Sequence, residues 1–121
     1  MTDPAVEPQP EASTASPGEE LTRRILANEP VVIGPKDRML LDRVAMPEED
    51  AERRSHSFEE VNIGYTERLA VLEAERCLQC KNPKCIDGCP VRVNIPRFID
   101  HLRRGDMAGA ADSLLGDNAL P

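Results

Sequence analysis

Four cysteines lie within thirteen residues of this chain, and they carry its most distinctive chemistry. They are Cys77, Cys80, Cys85 and Cys89. Their spacing is C-x2-C-x4-C-x3-C, Pro90 follows the last of them, and the chain contains no other cysteine. Thiolates are soft ligands that bind zinc or iron–sulfur clusters, and short spacings allow one loop to surround a compact metal centre. The segment 77–89 therefore predicts a metal site.

Two kinds of metal centre suit this spacing. The run that ends in Cys-Pro is close to the ferredoxin pattern C-x2-C-x2-C-x3-C-P, whose fourth cysteine binds a different cluster from the first three. Zinc knuckles have nearly the same spacing, but those that bind nucleic acid also use aromatic side chains. No aromatic residue lies between Cys77 and Cys89, and a net charge of −7 would repel a nucleic-acid partner. We therefore expect iron–sulfur binding and electron transfer, with a zinc-stabilised protein-interaction module as the alternative.

The cysteine segment lies in a basic part of an acidic protein. Residues 76–104 contain seven Lys or Arg and two acidic residues, whereas residues 1–75 contain eight basic and seventeen acidic ones. Positive charge near an anionic cluster would favour its reduced, more negative state. The same cations also suit an ordinary solvated face, or a docking surface for an acidic partner.

The composition indicates a cytoplasmic protein. Residues 1–20 contain acids and prolines where a secretory leader would have basic and then apolar residues. No segment reaches the roughly 18 apolar residues of a membrane span, so no membrane association is expected. In the cytoplasm, clustered cysteines indicate metal or redox chemistry rather than disulfides.

Residues 1–45 are expected to form a disordered or extended arm. The first twenty contain four prolines and no basic residue, a composition that cannot offset chain entropy by burial. Only 21–28 has the apolar spacing of two helical turns. From 29 to 47, short apolar runs alternate with proline, a pattern typical of an extended segment that lies on the surface of another part of the protein. We expect this arm to be dispensable for the metal site.

Residues 46–121 are expected to form an all-α domain around the cysteine segment, since no strand pattern of useful length appears. Side chains that can accept hydrogen bonds from free N–H groups predict where its helices begin. These residues are Ser57, Thr66, Asn94 and Asp106. The helix after Thr66 is expected to end near Cys77, and the helices after Asn94 and Asp106 follow the cysteine loop.

Four runs within this domain resemble a known family. They are Phe58-Glu-Glu-Val-Asn-Ile-Gly-Tyr65-Thr66, Ala74-Glu-Arg-Cys77-Leu-Gln-Cys80-Lys-Asn82-Pro83-Lys-Cys85, Gly88-Cys89-Pro90-Val91 and Ile95-Pro96-Arg97-Phe98-Ile99. Together they are similar to the N-terminal iron–sulfur domain of NADPH-dependent glutamate synthase small subunits, a domain that also occurs in dihydropyrimidine dehydrogenase. The resemblance implies an α-helical ferredoxin-like iron–sulfur domain with two 4Fe–4S clusters. It also implies a relay of electrons between a flavin and a partner subunit or second flavin site.

The resemblance implies how the ligands divide. Cys77, Cys80 and Cys85 would bind one cluster, and Cys89 would be the first ligand of the other. In the family, a segment like 118–121 leads into a second cysteine group, and then into FAD- and NADPH-binding domains. The domain here is incomplete relative to that pattern, so both clusters would lack ligands.

The resemblance also implies where the nucleotide cofactors bind. This chain has no Gly-x-Gly-x-x-Gly, so FAD and NADPH are expected only in missing or partner domains. The expected partner is a flavin- and NADPH-binding domain or subunit of the same oxidoreductase, or a glutamate synthase large subunit. We do not expect catalysis by this chain alone. A fragment, a separate subunit and a carrier with one cluster bound by all four cysteines remain open.

Overall fold

Within residues 15–120, which the computed structural model describes, the chain forms helices and no strand. The helices are α1 (Pro17–Leu26), α2 (Pro35–Arg38), α3 (Ala51–Ser55), α4 (Glu67–Glu75), α5 (Lys84–Asp87), α6 (Ile95–Arg103) and α7 (Met107–Asp117). The expected all-α class is confirmed. An isolated antiparallel bridge joins Glu48 and Asn62. Over this range, no helix is long and apolar enough to cross a bilayer.

A small apolar core lies among the longer helices. The helix α6 packs against both α4 and α7, and α1 packs against α4. The most deeply buried apolar side chains are Leu41, Leu72, Ala74, Val93 and Ala110. Small domains bury a low fraction of their surface. Polar contacts between the helices therefore carry a larger share of the stability here than they would in a large domain.

Three of the predicted helix caps are confirmed. Thr66, Asn94 and Asp106 each accept a hydrogen bond from the backbone N–H three residues further along, at 3.4, 3.2 and 2.8 Å. These contacts satisfy N–H groups that the first turn of a helix leaves free. Gly105 follows α6 with a φ of 72°, a left-handed conformation that glycine adopts without steric cost.

The prediction of a helix after Ser57 is wrong. The Ser57 hydroxyl accepts a hydrogen bond from the N–H of Glu59 at 3.0 Å, which forms a local turn, and residues 57–66 contain no helix. Serine hydroxyls that bond nearby N–H groups compete with helix formation. The apolar residues that follow, including a fully exposed Phe58, are not buried, so packing does not stabilise a helix there. The helix in this region is α3, which precedes Ser57.

The N-terminal arm is partly helical where the structure describes it. Residues 1–14 lie outside the described residues. The two helical turns expected at 21–28 are present, but α1 starts earlier, at Pro17, inside the stretch expected to be disordered. Ser16 and Glu19 exchange hydrogen bonds at 2.6 and 3.2 Å, and this capping box fixes the start of α1. The stretches 29–34 and 41–47 have no regular secondary structure.

Candidate metal centre

The cysteine segment connects α4 to α6. Cys77 lies two residues beyond the end of α4, Cys85 lies in the single turn of α5, and Cys89 lies two residues beyond α5. All four cysteines are free thiols; Cys77 and Cys89 are half-buried, whereas Cys80 and Cys85 are exposed. Because α4 and α6 pack together, both ends of the segment are held by helices. The sequence predicted this segment as loop throughout and did not predict α5.

The four thiols do not form a closed ligand group. Among residues 15–120, no three His, Cys, Asp or Glu side chains converge closely enough to hold a metal ion. The donor chemistry fits an iron–sulfur cluster, because four free thiols with access to solvent lie on one short segment. The assignment of each cysteine to a cluster stays a prediction.

Gln79 connects the first cysteine to α6. Its backbone φ is 51°, a left-handed conformation that is uncommon outside glycine. Its side-chain Nε2 donates a hydrogen bond to the Pro96 carbonyl at 3.1 Å and lies 3.5 Å from the Cys77 sulfur. Backbone conformations of this kind cluster at functional sites. The sequence analysis did not single out Gln79, since nothing in its local pattern marks a left-handed residue.

A polar network holds the chain just before Cys77. Glu75, the last residue of α4, has a side chain that is 13% exposed, and its carboxylate lies 2.8 Å from Arg38 Nη1 and 3.2 Å from Arg103 Nε. The Arg38 guanidinium also donates hydrogen bonds to the carbonyls of Glu75 and Cys77, at 2.9 and 3.3 Å. Sequence reasoning missed this network because its members lie 28 and 37 residues from Glu75.

The basic residues of the segment mostly face solvent. The side chains of Lys84 and Arg92 are 89% and 70% exposed, and each lies 3.8 Å from Asp87. Exposed ion pairs of this kind contribute little to stability. Arg103 differs from this solvated face, because it is 20% exposed and pairs with Glu75. Lys84, Arg92 and Asp87 together leave one net positive charge at this exposed part of the segment.

Comparison with known proteins identifies the class of this domain. The fold and the thiol segment define a small helical metal-binding domain. Residues 54–121 match the family described as dihydropyrimidine dehydrogenase domain II, 4Fe–4S cluster. Because the match covers more than half of the chain and includes all four cysteines, the chain belongs to this family of 4Fe–4S domains. The expected cofactor is thereby confirmed at the level of the family, and electron transfer is the role that such a domain implies.

The chain is similar to short parts of much longer proteins. It is 36% identical over 62 residues to the NAD-dependent dihydropyrimidine dehydrogenase subunit PreT of Salmonella typhimurium, which covers 51% of this chain and 15% of that protein. It is 35% identical over 81 residues to the glutamate synthase (NADPH) small chain of Escherichia coli, and the match covers 67% of this chain and 17% of that protein. The glutamate synthase (NADPH) small chain of Halomonas elongata is 35% identical over 71 residues, 59% of this chain and 15% of that one. The chain thus spans about a sixth of the length of these curated relatives, and the resemblance read from the sequence is confirmed.

Proposed function

We propose that this chain is the iron–sulfur electron-transfer module of a glutamate-synthase-like, NADPH-dependent oxidoreductase. In this role it relays electrons between flavin sites that belong to other domains or to a partner subunit. The observation that carries the proposal is a 4Fe–4S family match whose range includes four free thiols on one short segment. A bound 4Fe–4S cluster supplies a centre that accepts and releases an electron at a potential tuned by its surroundings.

The proposed ligands divide between two clusters. Cys77, Cys80 and Cys85 bind the first cluster, and Cys89 contributes to the second. The ferredoxin pattern supports this division, because its last cysteine, the one before proline, also binds a different cluster from the others. The order of the elements agrees with it, since Cys89 lies beyond α5 and the other three lie before or within that turn. Each cluster takes its remaining ligands from outside this segment.

The chain's own residues orient the thiols and set their electrostatic surroundings. The packed helices α4 and α6 hold the two ends of the segment. The exposed cations Lys84 and Arg92, offset in part by Asp87, add positive charge, which favours the reduced state of an anionic centre. The exposed thiols of Cys80 and Cys85 lie at the surface, where a redox partner could approach closely.

The proposed partner is a flavin- and NADPH-binding domain or subunit of the same oxidoreductase, with a glutamate synthase large subunit as a further candidate. The support is that the relatives are NADPH- or NAD-dependent by name and are about six times longer than their shared part. We propose a cytoplasmic location, because clustered cysteines indicate metal or redox chemistry in compartments where disulfides are rare.

Two cysteine substitutions test the proposed ligands. Cys80→Ser and Cys89→Ser are reconstituted anaerobically with iron and sulfide, and iron per chain and the electron spin resonance of the dithionite-reduced protein are compared. If the division holds, Cys89→Ser keeps the first cluster, with water or an outside thiol as substitute ligand, whereas Cys80→Ser loses much of it. Equal, severe losses would indicate one cluster held by all four cysteines. Binding of zinc without sulfide would favour the interaction module instead.

A further inference from the structure

Arg38 belongs to the N-terminal arm, yet its guanidinium is buried beside the cysteine segment. The residue lies in α2 and is 9% exposed. Its Nη1 lies within hydrogen-bond distance of three acceptors, which share its two hydrogens. They are the Glu75 carboxylate at 2.8 Å, the Glu75 carbonyl at 2.9 Å and the Cys77 carbonyl at 3.3 Å. Its Nη2 donates to the Ile33 carbonyl at 3.4 Å, within the arm itself. One side chain therefore joins the arm to the point where the chain leaves α4 for its first cysteine.

The end of α4 is where such a donor stabilises most. The last carbonyls of a helix have no partner inside the helix, and a cation near this end interacts favourably with the helix dipole. The planar guanidinium serves two sides at once, with Nη1 at the end of α4 and Nη2 at the Ile33 carbonyl, which the single nitrogen of a lysine does less well. The Cys77 N–H donates to the Ala74 carbonyl at 3.1 Å. Because the Cys77 carbonyl accepts a hydrogen bond from Arg38, both backbone polar groups of Cys77 have partners.

Other contacts hold the same part of the arm against α4. The Val44 N–H donates to the Glu73 carboxylate at 2.8 Å, and the Val44 carbonyl accepts from the Tyr65 hydroxyl at 2.8 Å. Between Arg38 and Val44, the side chain of Leu41 is buried, with 5% exposure. Arg38 thus belongs to a stretch with several anchors, and its geometry does not depend on one exposed contact.

We infer that Arg38 is a positioning residue for the metal centre, because it fixes the backbone of Cys77. The inference goes beyond the family match, which begins at residue 54 and leaves the arm without a role. It is an alternative to the expectation that the arm is dispensable for the metal site. It rests on the proposed function only in taking Cys77 as a ligand.

The test measures how fast each thiol reacts in the full, metal-free chain under reducing conditions. Iodoacetamide alkylation is followed at each cysteine by mass spectrometry, and Cys89 serves as the reference because it is half-buried like Cys77. Arg38→Met keeps an unbranched apolar stem but removes every donor. It should raise the rate at Cys77 relative to Cys89 roughly tenfold, the size expected when a charged hydrogen bond no longer restrains local opening.

Two further variants frame this result. Arg38→Lys keeps the charge but loses the planar fork, so its rate ratio should lie between those of the wild type and Arg38→Met. Arg23→Met is the matched control, because Arg23 lies on the same arm, is 62% exposed and pairs only with Glu20 and Glu29 among the described residues. Its ratio should equal that of the wild type.

An unchanged ratio in Arg38→Met would overturn the inference. An equal rise at Cys77 and Cys89 would overturn it too, because a merely structural role lowers the stability of the whole domain and exposes both thiols alike. If Arg38→Met lacks helical circular dichroism, Arg38→Lys decides by the same ratio. Reconstitution with iron and sulfide is a separate experiment. A wild-type chain that takes up no cluster counts against the proposed function, and the alkylation ratio still decides whether Arg38 positions Cys77.

Discussion

Replacing Glu75 with glutamine tests the polar network at the end of α4. The Glu75 carboxylate lies 2.8 Å from Arg38 and 3.2 Å from Arg103, and the side chains of the three residues are 13%, 9% and 20% exposed. Glutamine keeps the size and one acceptor oxygen, but Arg38 loses its negative partner while it stays buried. Arg103 keeps only Asp100, at 3.5 Å. Breaking a buried pair from one side costs about 3–5 kcal/mol, and the retained oxygen and partial exposure reduce this to about 2 kcal/mol.

Urea unfolding of the full chain, followed by circular dichroism, measures this loss. Glu59→Gln is the matched control, since Glu59 is 76% exposed and lies 3.6 Å from an exposed Arg53. The control should change the free energy of unfolding by less than about 0.5 kcal/mol. For a domain of this size, a loss of 2 kcal/mol lowers the melting temperature by roughly 8–16 °C. A loss in Glu75→Gln no larger than that of the control would refute the view that this network holds the arm and α6 to α4.

Two glycine substitutions and one change at a helix cap give further predictions. Gly105 has a φ of 72°, so Gly105→Ala should lower the free energy of unfolding by about 1 kcal/mol. Gly116→Ala, inside α7 with open space around its side-chain position, should raise it by about 0.5 kcal/mol; urea unfolding that gives both changes the same sign would contradict this. Hydrogen bonds from the Gly109 N–H and then from His101 lower the pKa of Asp106 below its usual 3.8. Since a lowered carboxyl pKa gives stability that is present above the usual pKa and lost as the pH falls through the folded value, melting temperatures should fall less on acidification in Asp106→Ala than in the wild type. Parallel pH profiles would show that the cap does not contribute in this way.

The helices around the site were predictable where their signals are local. Thr66, Asn94 and Asp106 act on N–H groups only three residues away, so the sequence contains the whole interaction. The same kind of signal at Ser57 failed, because a cap begins a helix only if burial then supports it, and Phe58 is fully exposed.

The arm shows the opposite error. Residues 1–20 are rich in acids and prolines, and the prediction of disorder followed from this composition. It did not take into account the capping box at Ser16 and Glu19. Pro17 follows Ser16 at the first helical position, where its missing N–H costs nothing. That signal could have placed the start of α1 correctly.

The sequence predicts the four cysteines as metal ligands, and that assignment stays a prediction. The contacts that support the cysteine segment could not be predicted. Ligand type and spacing are properties of one short segment, so the four cysteines indicated the chemistry, and together with the runs around them they indicated the family. The contact between Arg38 and Glu75 spans 37 residues and depends on how the arm lies on α4, which no local pattern encodes. The hydrogen bond from Gln79 to the Pro96 carbonyl likewise depends on a left-handed backbone conformation, which the residue type does not predict.

Anaerobic purification of the chain, followed by an absorbance spectrum and by iron, acid-labile sulfide and zinc analysis, tests the iron–sulfur assignment most directly. We predict a brown protein with a broad band near about 400 nm that bleaches on reduction. Iron and sulfide should be present in equal amounts, as the composition of a 4Fe–4S cluster requires, and zinc should be negligible. A colourless protein that carries one zinc per chain and no sulfide would contradict the assignment and with it the proposed electron transfer.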